Sequence, residues 1–395
     1  MDFTLGEELE AVQDLARRIF TDHATQTRIK AAEQSATGFD ETLWTALADA
    51  GLLGVALPED AGGAGLGVGG LAVLLEEQGR AVAPAPIWPT VVAALTIAEH
   101  GTPAQREILP ALADGTERLT IALEEFASPD PAEPRCTAVR DGDGWFLTGT
   151  KAVVPTPFGA DRVLVAARSA DGGPGLYLLD ASASGVLWER TQTTTHDTAG
   201  HLTLDAAQAE PLGTATLADA LAEARTGGAG ARTGGVDALA TALRLARVSL
   251  AATQVGVAEG ALRHAADYLT GREQFGRPLA TFQAVQHQLA DCYIEIDALR
   301  VCLWHAISLI TAAESGESAE SVEDAESAVL VAKWWSDEGG LNVVHRVQHL
   351  HGGIGVDVDY PVHRHFLWGK QISGTLGGAS FDLDLLGAVL REAVS

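Results

Sequence analysis

The sequence predicts an α+β multidomain chain: an N-terminal α-helical domain over 1–117, a central β domain over 118–212, a Gly-rich linker over 213–236 and a C-terminal helical bundle over 237–395. Three observations predict it. The hydrophobic period changes twice along the chain, from helical to short alternating runs and back to helical. The stretch RTGGAGARTGGV, with Arg-Thr-Gly-Gly at 225 and again at 232, is too rich in glycine to bury surface and reads as a mobile linker. The last zone carries long helical segments at 237–270, 280–313 and 322–350, lengths that suggest a bundle.

In the first zone Leu5, Leu9, Val12, Leu15 and Ile19 recur at helical spacing, and FDETLWTALADAGLLG has an acidic first turn and a glycine stop. The middle zone instead offers GWFLTGTK, ADRVLVAAR and GLYLLD, separated by Asp-Gly and Gly-Gly-Pro-Gly turns; a small barrel or sandwich fits. The run Glu314, Glu317, Glu320, Glu323, Asp324, Glu326 reads as a solvated loop and helix start.

Composition sets the outer bounds. With 395 residues, 47% of them hydrophobic, the chain has material for a large core and for two or three packed units. No apolar run approaches the roughly 20 residues of a membrane span, and the start MDFTLGEELEAVQDLARR is acidic and amphipathic rather than signal-like. A cytoplasmic location without membrane insertion is expected. The formal charge of -27 repels nucleic acid and anionic lipid and requires an anionic ligand to find a locally basic pocket. Cys136, Cys292 and Cys302 lack metal-ligand spacing and are expected to be reduced and mostly buried.

The most informative stretch is YLTGREQFGRPLATFQAVQHQLAD, 268–291, which begins and ends as helix but holds Gly-Arg-Pro in its middle. Pro278 fits only at or before a helix start, so a helix-loop-helix corner is expected. There Arg272 can fork onto a phosphate, Phe275 offers an aromatic plane, and Gln283 supplies both donor and acceptor, the groups a dinucleotide needs. An ordinary helix hairpin with two solvent-exposed arginines explains the same residues. About 70 residues on, VQHLHGGIGVDVDYPVHRHF places Gly352, Gly353 and Gly355 after a helix, where backbone can approach a ligand closely.

Together these two stretches resemble the acyl-CoA dehydrogenase family. Arg272, Phe275, Gly276 and Gln283 match its R-x-x-F-G corner and following glutamine, which grip FAD across a subunit interface. Gly352 and Gly353 match its Q-x-x-G-G motif for the adenosine half, with His349 in place of the glutamine. LWTALADAGLLGVALPEDAGGAGLG looks like the N-terminal helical signature, GWFLTGTKAVVPTPFGADRVLVAAR like the β-domain signature, and Tyr360-Pro361 with Arg364 like a late C-terminal motif. The resemblance implies a helical domain, a β-barrel and a four-helix bundle, commonly in a tetramer. It also implies desaturation of an acyl-CoA, in which a carboxylate removes the α-proton while FAD accepts the β-hydride, with electrons passed to an electron-transfer flavoprotein.

The catalytic base is missing where the family places it. The position of the glutamate in most members is Gly377, and that of a smaller group is Ala246; neither takes a proton. Flavin-facing positions depart too: Glu124-Glu125 stands for the usual threonine-glutamate pair and Val153-Val154-Pro155 for a tryptophan-hydroxyl segment, so hydroxyl donors are lost. Adenine-side motifs thus survive while ring-side ones do not. This split, with GGIGVDVDYPVHRHFLWGKQ and LGGAS, resembles the actinobacterial steroid and branched side-chain dehydrogenases, whose α2β2 assemblies pair a base-bearing subunit with a base-less one. A homotetramer with its base at Asp382 or Asp384 is the alternative, as is a family-fold protein without dehydrogenase chemistry: a structural partner, a flavin monooxygenase relative or a biosynthetic enzyme.

Three further signals weigh less. Gly65, Gly67 and Gly70 satisfy G-x-G-x-x-G but follow Pro58-Glu59-Asp60 and lack the acidic ribose partner of a Rossmann unit. His345, His349, His351, His363 and His365 lack paired Cys or carboxylate ligands, so no metal is expected. Lys333, Trp334 and Trp335 read as packing residues, the lysine snorkelling.

Overall fold

The computed structural model describes residues 5–126, 128, 130–142, 144–170, 173–213, 234–314 and 320–392. Most of the Gly-rich stretch 213–236, and Glu317 of the acidic run, fall outside the described residues. The backbone groups into two compact units, one of Ile29–Gly67 with Pro84–Ala246, the other of Met1–Arg28, Val68–Ala83 and Arg247–Ser395.

Short helices lead into the β domain of the first unit: α2 (Gln26–Glu33) from Ile29 on, α3 (Glu41–Asp49), α5 (Ile87–His100), α6 (Pro103–Arg106) and α7 (Leu109–Ala113). Asp40 caps α3, accepting from the backbone N–H groups of Thr42 at 2.9 Å and Leu43 at 3.1 Å. Thr102 and Gln105 form a reciprocal capping box on α6. Seven strands follow: β1 (Leu119–Ala122), β2 (Thr137–Asp141), β3 (Gly144–Pro155), β4 (Arg162–Ser169), β5 (Gly173–Asp180), β6 (Val186–Gln192) and β7 (Thr198–Pro211). Their pairings run β4-β2-β3-β7-β5 and return from β5 to β4, which closes a barrel; β1 adds to β4 and β6 to β7. The alternation in GWFLTGTK puts Trp145 and Leu147 in a core with Val163, Val165, Leu202 and Ala207. Of the two forms left open by the sequence, the closed barrel is the one formed.

The second unit holds α1 (Glu7–His23), α4 (Gly67–Ala81) from Val68 on, α8 (Gly234–Gly271) from Arg247 on, α9 (Gln283–Glu314), α10 (Glu320–Trp335), a π-helical turn (Ser336–Gly340), α11 (Leu341–His351), α12 (Val362–Gly374) and α13 (Ala379–Glu392). Val255 and Ala258 on α8, Leu299 and Leu303 on α9, and Val329 and Ala332 on α10 are buried. By length and composition α9 is long and apolar enough over Gln283–Ala313 to cross a membrane, a run not expected from the sequence. It carries Asp291, Glu295, Asp297 and Arg300 and buries Leu299, Leu303 and Ala306 on one face, the pattern of a bundle helix.

An ionic network around the buried carboxylates of Glu76 and Glu77, with partly exposed arginines at its edge, ties α1, α4, α8 and α9. Arg17 Nη2 donates to Glu77 Oε1 at 2.9 Å, Arg80 pairs with Glu77 and Glu259, and Arg300 Nη2 reaches Glu259 at 2.5 Å and Glu76 at 3.5 Å. Burial pushes the Glu76 carboxyl up to about 7; Arg300 and Arg80 pull it back, while Glu259 and Glu77 add to the rise. A carboxyl raised in this way favours the fold while protonated, so its contribution is complete below its unfolded value and is lost as pH rises through about 7. Glu76→Gln is therefore expected to flatten the fall in melting temperature between about pH 5 and 7. An unaltered pH slope in the variant contradicts this account.

Lys333 departs from expectation. It does not snorkel: it is fully buried, its Nζ 2.5 Å from Asp337 Oδ2 in the π-helical turn, with the buried carboxyl of Asp382 from α13 against Asp337. Its stem had no apolar surface route to water, because α10 and α13 pack on each other there. Trp334 and Trp335 meet edge to face at 5.2 Å and are partly buried.

Candidate functional site

The interruption after α8 is not a simple loop. Gln274 pairs with Arg277 and Glu273 with Pro278, forming a hairpin of β8 (Glu273–Gln274) and β9 (Arg277–Pro278) where the sequence suggested only a corner. Its two turn residues, Phe275 and Gly276, both have positive φ, 53° and 78°. That is the backbone a two-residue hairpin requires, and glycine meets it without strain whereas phenylalanine does not. Strain at an exposed aromatic is a pointer to function, because packing gains little from it: Phe275 is 87% exposed and meets only the edge of Phe282, ring centroids 6.1 Å apart. Arg272 N donates to Tyr268 O and Leu279 N to Arg272 O, both at 2.8 Å, fixing the base of the hairpin. The side chains of Arg272 and Gln283 are exposed, Gln283 opening α9 with its Nε2 3.4 Å from His287 Nε2.

The glycine segment lies at the same end of the bundle. Tyr268, four residues before Arg272, stacks on His351 with ring centroids 4.8 Å apart and planes 19° from parallel, and Tyr360 meets both rings. Since Gly352 follows His351 directly, this stack brings the two motifs together. His349 sits exposed on the last turn of α11, and Gly352 ends that helix with φ 62°. A Cβ on Gly352 or Gly353 would meet nothing within 4 Å, so the backbone there is open to an approaching ligand. An exposed guanidinium, an unstacked ring face, an amide and open glycine backbone are donors and surfaces that fit a pyrophosphate joined to an adenosine.

The base positions hold no acid. Ala246 is fully buried in α8. Gly377 lies in the turn Thr375–Gly377 between α12 and α13, with φ 111°. Of the alternatives, Asp384 is exposed, whereas Asp382 is fully buried and engaged with Asp337 and Lys333 rather than facing open space.

In the barrel, Glu125 anchors the chain internally. Its Oε1 accepts from Lys151 Nζ at 2.7 Å and from Cys136 N at 3.0 Å, and its Oε2 from Arg135 N at 2.9 Å. Burial alone would raise this carboxyl, but the Lys151 ammonium and the backbone donors outweigh it and hold it low. The register shift between Lys151 and Val154 turns Val153 to φ 48°, where its N–H donates to His201 Nδ1 at 3.2 Å beside the exposed ring of Phe126. Sequence reading missed Thr156: its buried Oγ1 has no hydrogen-bond partner among the described residues, leaving a hydroxyl one residue beyond the segment from which hydroxyls had been lost. The signal in the sequence is the threonine directly after Val153-Val154-Pro155. Cys136 and Cys292 are buried, and none of the three cysteines is paired.

Family models for the acyl-CoA dehydrogenase N-terminal domain and C-terminal domain match residues 6–116 and 233–380. Acyl-CoA dehydrogenase FadE27 of Mycobacterium tuberculosis is 35% identical over 394 residues, 99% of each chain. The chain belongs to the acyl-CoA dehydrogenase family. Acyl-CoA dehydrogenases are FAD-binding oxidoreductases acting on CH–CH bonds, and the helical, barrel and bundle parts found here are that architecture. Two solved acyl-CoA dehydrogenase structures are close in fold and sequence. One is described as a variant of the Tcur3481-Tcur3483 steroid ACAD, with 62% identity, 99% coverage of both chains and a TM-score of 0.88. The other is the ChsE4-ChsE5 complex from Mycobacterium tuberculosis, with 34% identity, the same coverage and a TM-score of 0.86.

Proposed function

We propose that this chain is the FAD-clamping, base-less subunit of a heteromeric acyl-CoA dehydrogenase acting on a steroid or branched side-chain thioester. One observation carries the reading: an open, strained Phe275-Gly276 hairpin beside open glycine backbone, in a chain with glycine at 377 and alanine at 246. The two similar structures, each named for two proteins, support a mixed assembly. Arg272 would hold the pyrophosphate, Phe275 and Gln283 the flanking groups, and His349 with the Gly352 and Gly353 backbone the adenosine half. When bound, FAD supplies the hydride acceptor. The α-proton would go to a carboxylate of the partner subunit, and electrons would pass on to an electron-transfer flavoprotein. A tetramer in the cytoplasm, with the domains at 1–117, 118–212 and 237–395 joined by the 213–236 linker, completes the proposal.

Purified alone, the chain is expected to be colourless and to acquire flavin absorbance on assembly with a base-bearing subunit. One equivalent of FAD per isolated chain, bleached by an acyl-CoA without help, would overturn the mixed assembly. In the assembled protein Arg272→Ala removes a charge-assisted contact and is expected to weaken FAD retention by about 1.5–3 kcal/mol, roughly 10- to 150-fold. Unchanged flavin content after gel filtration would sink the clamp.

A further inference from the structure

We propose that Phe381 is a built-in plug that denies position 377 any side chain. The inference rests on the reading that 377 is where most family members carry the catalytic carboxylate. A Cβ added to Gly377 would lie 2.4 Å from Phe381 Cδ1 and 2.9 Å from its Cγ, well inside contact distance and against the root of the ring rather than its movable tip. The backbone enforces the same exclusion independently, since φ of 111° is rarely adopted by any residue with a side chain.

The plug is held from two sides. Phe381 N and Asp382 N both donate to Gly378 O, at 3.0 and 3.1 Å, so the first turn of α13 is stacked directly on the glycine turn. Asp382, the next residue, is fully buried against Asp337 of the π-helical turn, which in turn pairs with Lys333. α13 therefore cannot retreat from Gly377 without withdrawing a carboxyl from that cluster. On the other side Leu376 is buried in the left-handed region at φ 64°, a strained arrangement for a branched side chain that fixes the direction in which the turn enters α13. The absence of a base is thus a folded feature of this turn rather than a single missing side chain, and a carboxylate could not be accommodated there by substitution at 377 alone.

A double-mutant cycle in the full chain, assembled with its partner, tests the plug. Gly377→Ala is expected to lower the melting temperature by about 3 °C or more, and the same substitution in a Phe381→Ala background to cost clearly less. The φ strain is common to both backgrounds and cancels, leaving the ring contact. Equal losses in the two backgrounds overturn the plug; if Phe381→Ala does not fold, Phe381→Leu completes the cycle with the same criterion. A second comparison, made in assemblies whose partner subunit has its own catalytic carboxylate replaced by the amide so that no bleaching comes from that side, separates the plug from the placement of the base. If Gly377→Glu/Phe381→Ala gains acyl-CoA-dependent flavin bleaching that Gly377→Glu lacks, both ideas stand. Coupling without that gain supports the plug and overturns the placement of the base at 377.

Discussion

Replacing Lys333 with methionine is expected to destabilise the chain by about 3–5 kcal/mol, although no surface residue is touched. Methionine fills nearly the same volume, so packing alone predicts little loss. What it removes is the counter-charge paired with Asp337, leaving Asp337 and Asp382 buried against each other. Burial already raises both carboxyls, with Lys333 pulling against it, and Arg247 is the further cation acting on Asp382. Without the ammonium both must hold a proton to stay in the core. The sign follows: carboxyls raised in the fold stabilise it while protonated, and that stability is lost as pH rises, so the defect should deepen from acid to alkaline pH. Urea unfolding at two pH values, read as a midpoint shift at constant slope, measures this. A loss below about 1 kcal/mol at alkaline pH, or one that shrinks as pH rises, contradicts the arrangement. Replacing all three residues by apolar ones should recover much of the loss, since a well-packed apolar core competes with a buried ion cluster.

The second large effect is expected at Gly256. In an ordinary helix interior, glycine to alanine gains up to about 1 kcal/mol. Here a Cβ would stand 1.9 Å from the Glu76 carbonyl oxygen and 2.7 Å from Arg80 N, both backbone atoms of α4. The crossing is reciprocal, because a Cβ on Gly79 of α4 would stand 2.1 Å from Thr253 O on α8. No rotamer can relieve a clash with backbone, so α4 and α8 must separate, straining the Arg80–Glu259 pair that bridges them. Gly256→Ala should therefore lose about 1–3 kcal/mol or more despite its better helix propensity, read by thermal unfolding followed by circular dichroism. A variant as stable as the parent would show that the helices cross elsewhere.

Much of the fold was legible because it is written locally. The alternation in GWFLTGTK and the helical spacing from Leu5 to Ile19 are short-range patterns, and each became the element it suggested, β3 and α1. The hairpin at 273–278 was half-legible: Gly276 and Pro278 announced a break, but pairing of two-residue strands and positive φ at a phenylalanine are not propensities a sequence displays. Lys333 was misread for a related reason. Its partner Asp337 lies one turn on and is visible in sequence, but Asp382 arrives from 49 positions downstream, and only that packing cuts the lysine off from water.

By itself, then, the sequence determined the zones of helix and strand, the motifs around Arg272 and Gly352, and the lack of an acid at 377 and 246, because each depends on residue type and near-neighbour spacing. Only the tertiary structure decided that Tyr268 and His351 stack to join the two motifs, that Glu125 is taken up by Lys151, that Asp382 faces into the core, and that Phe381 fills the space above Gly377. Those outcomes turn on which side chains share a desolvated volume, and that is set by how distant elements or a tight turn close in space.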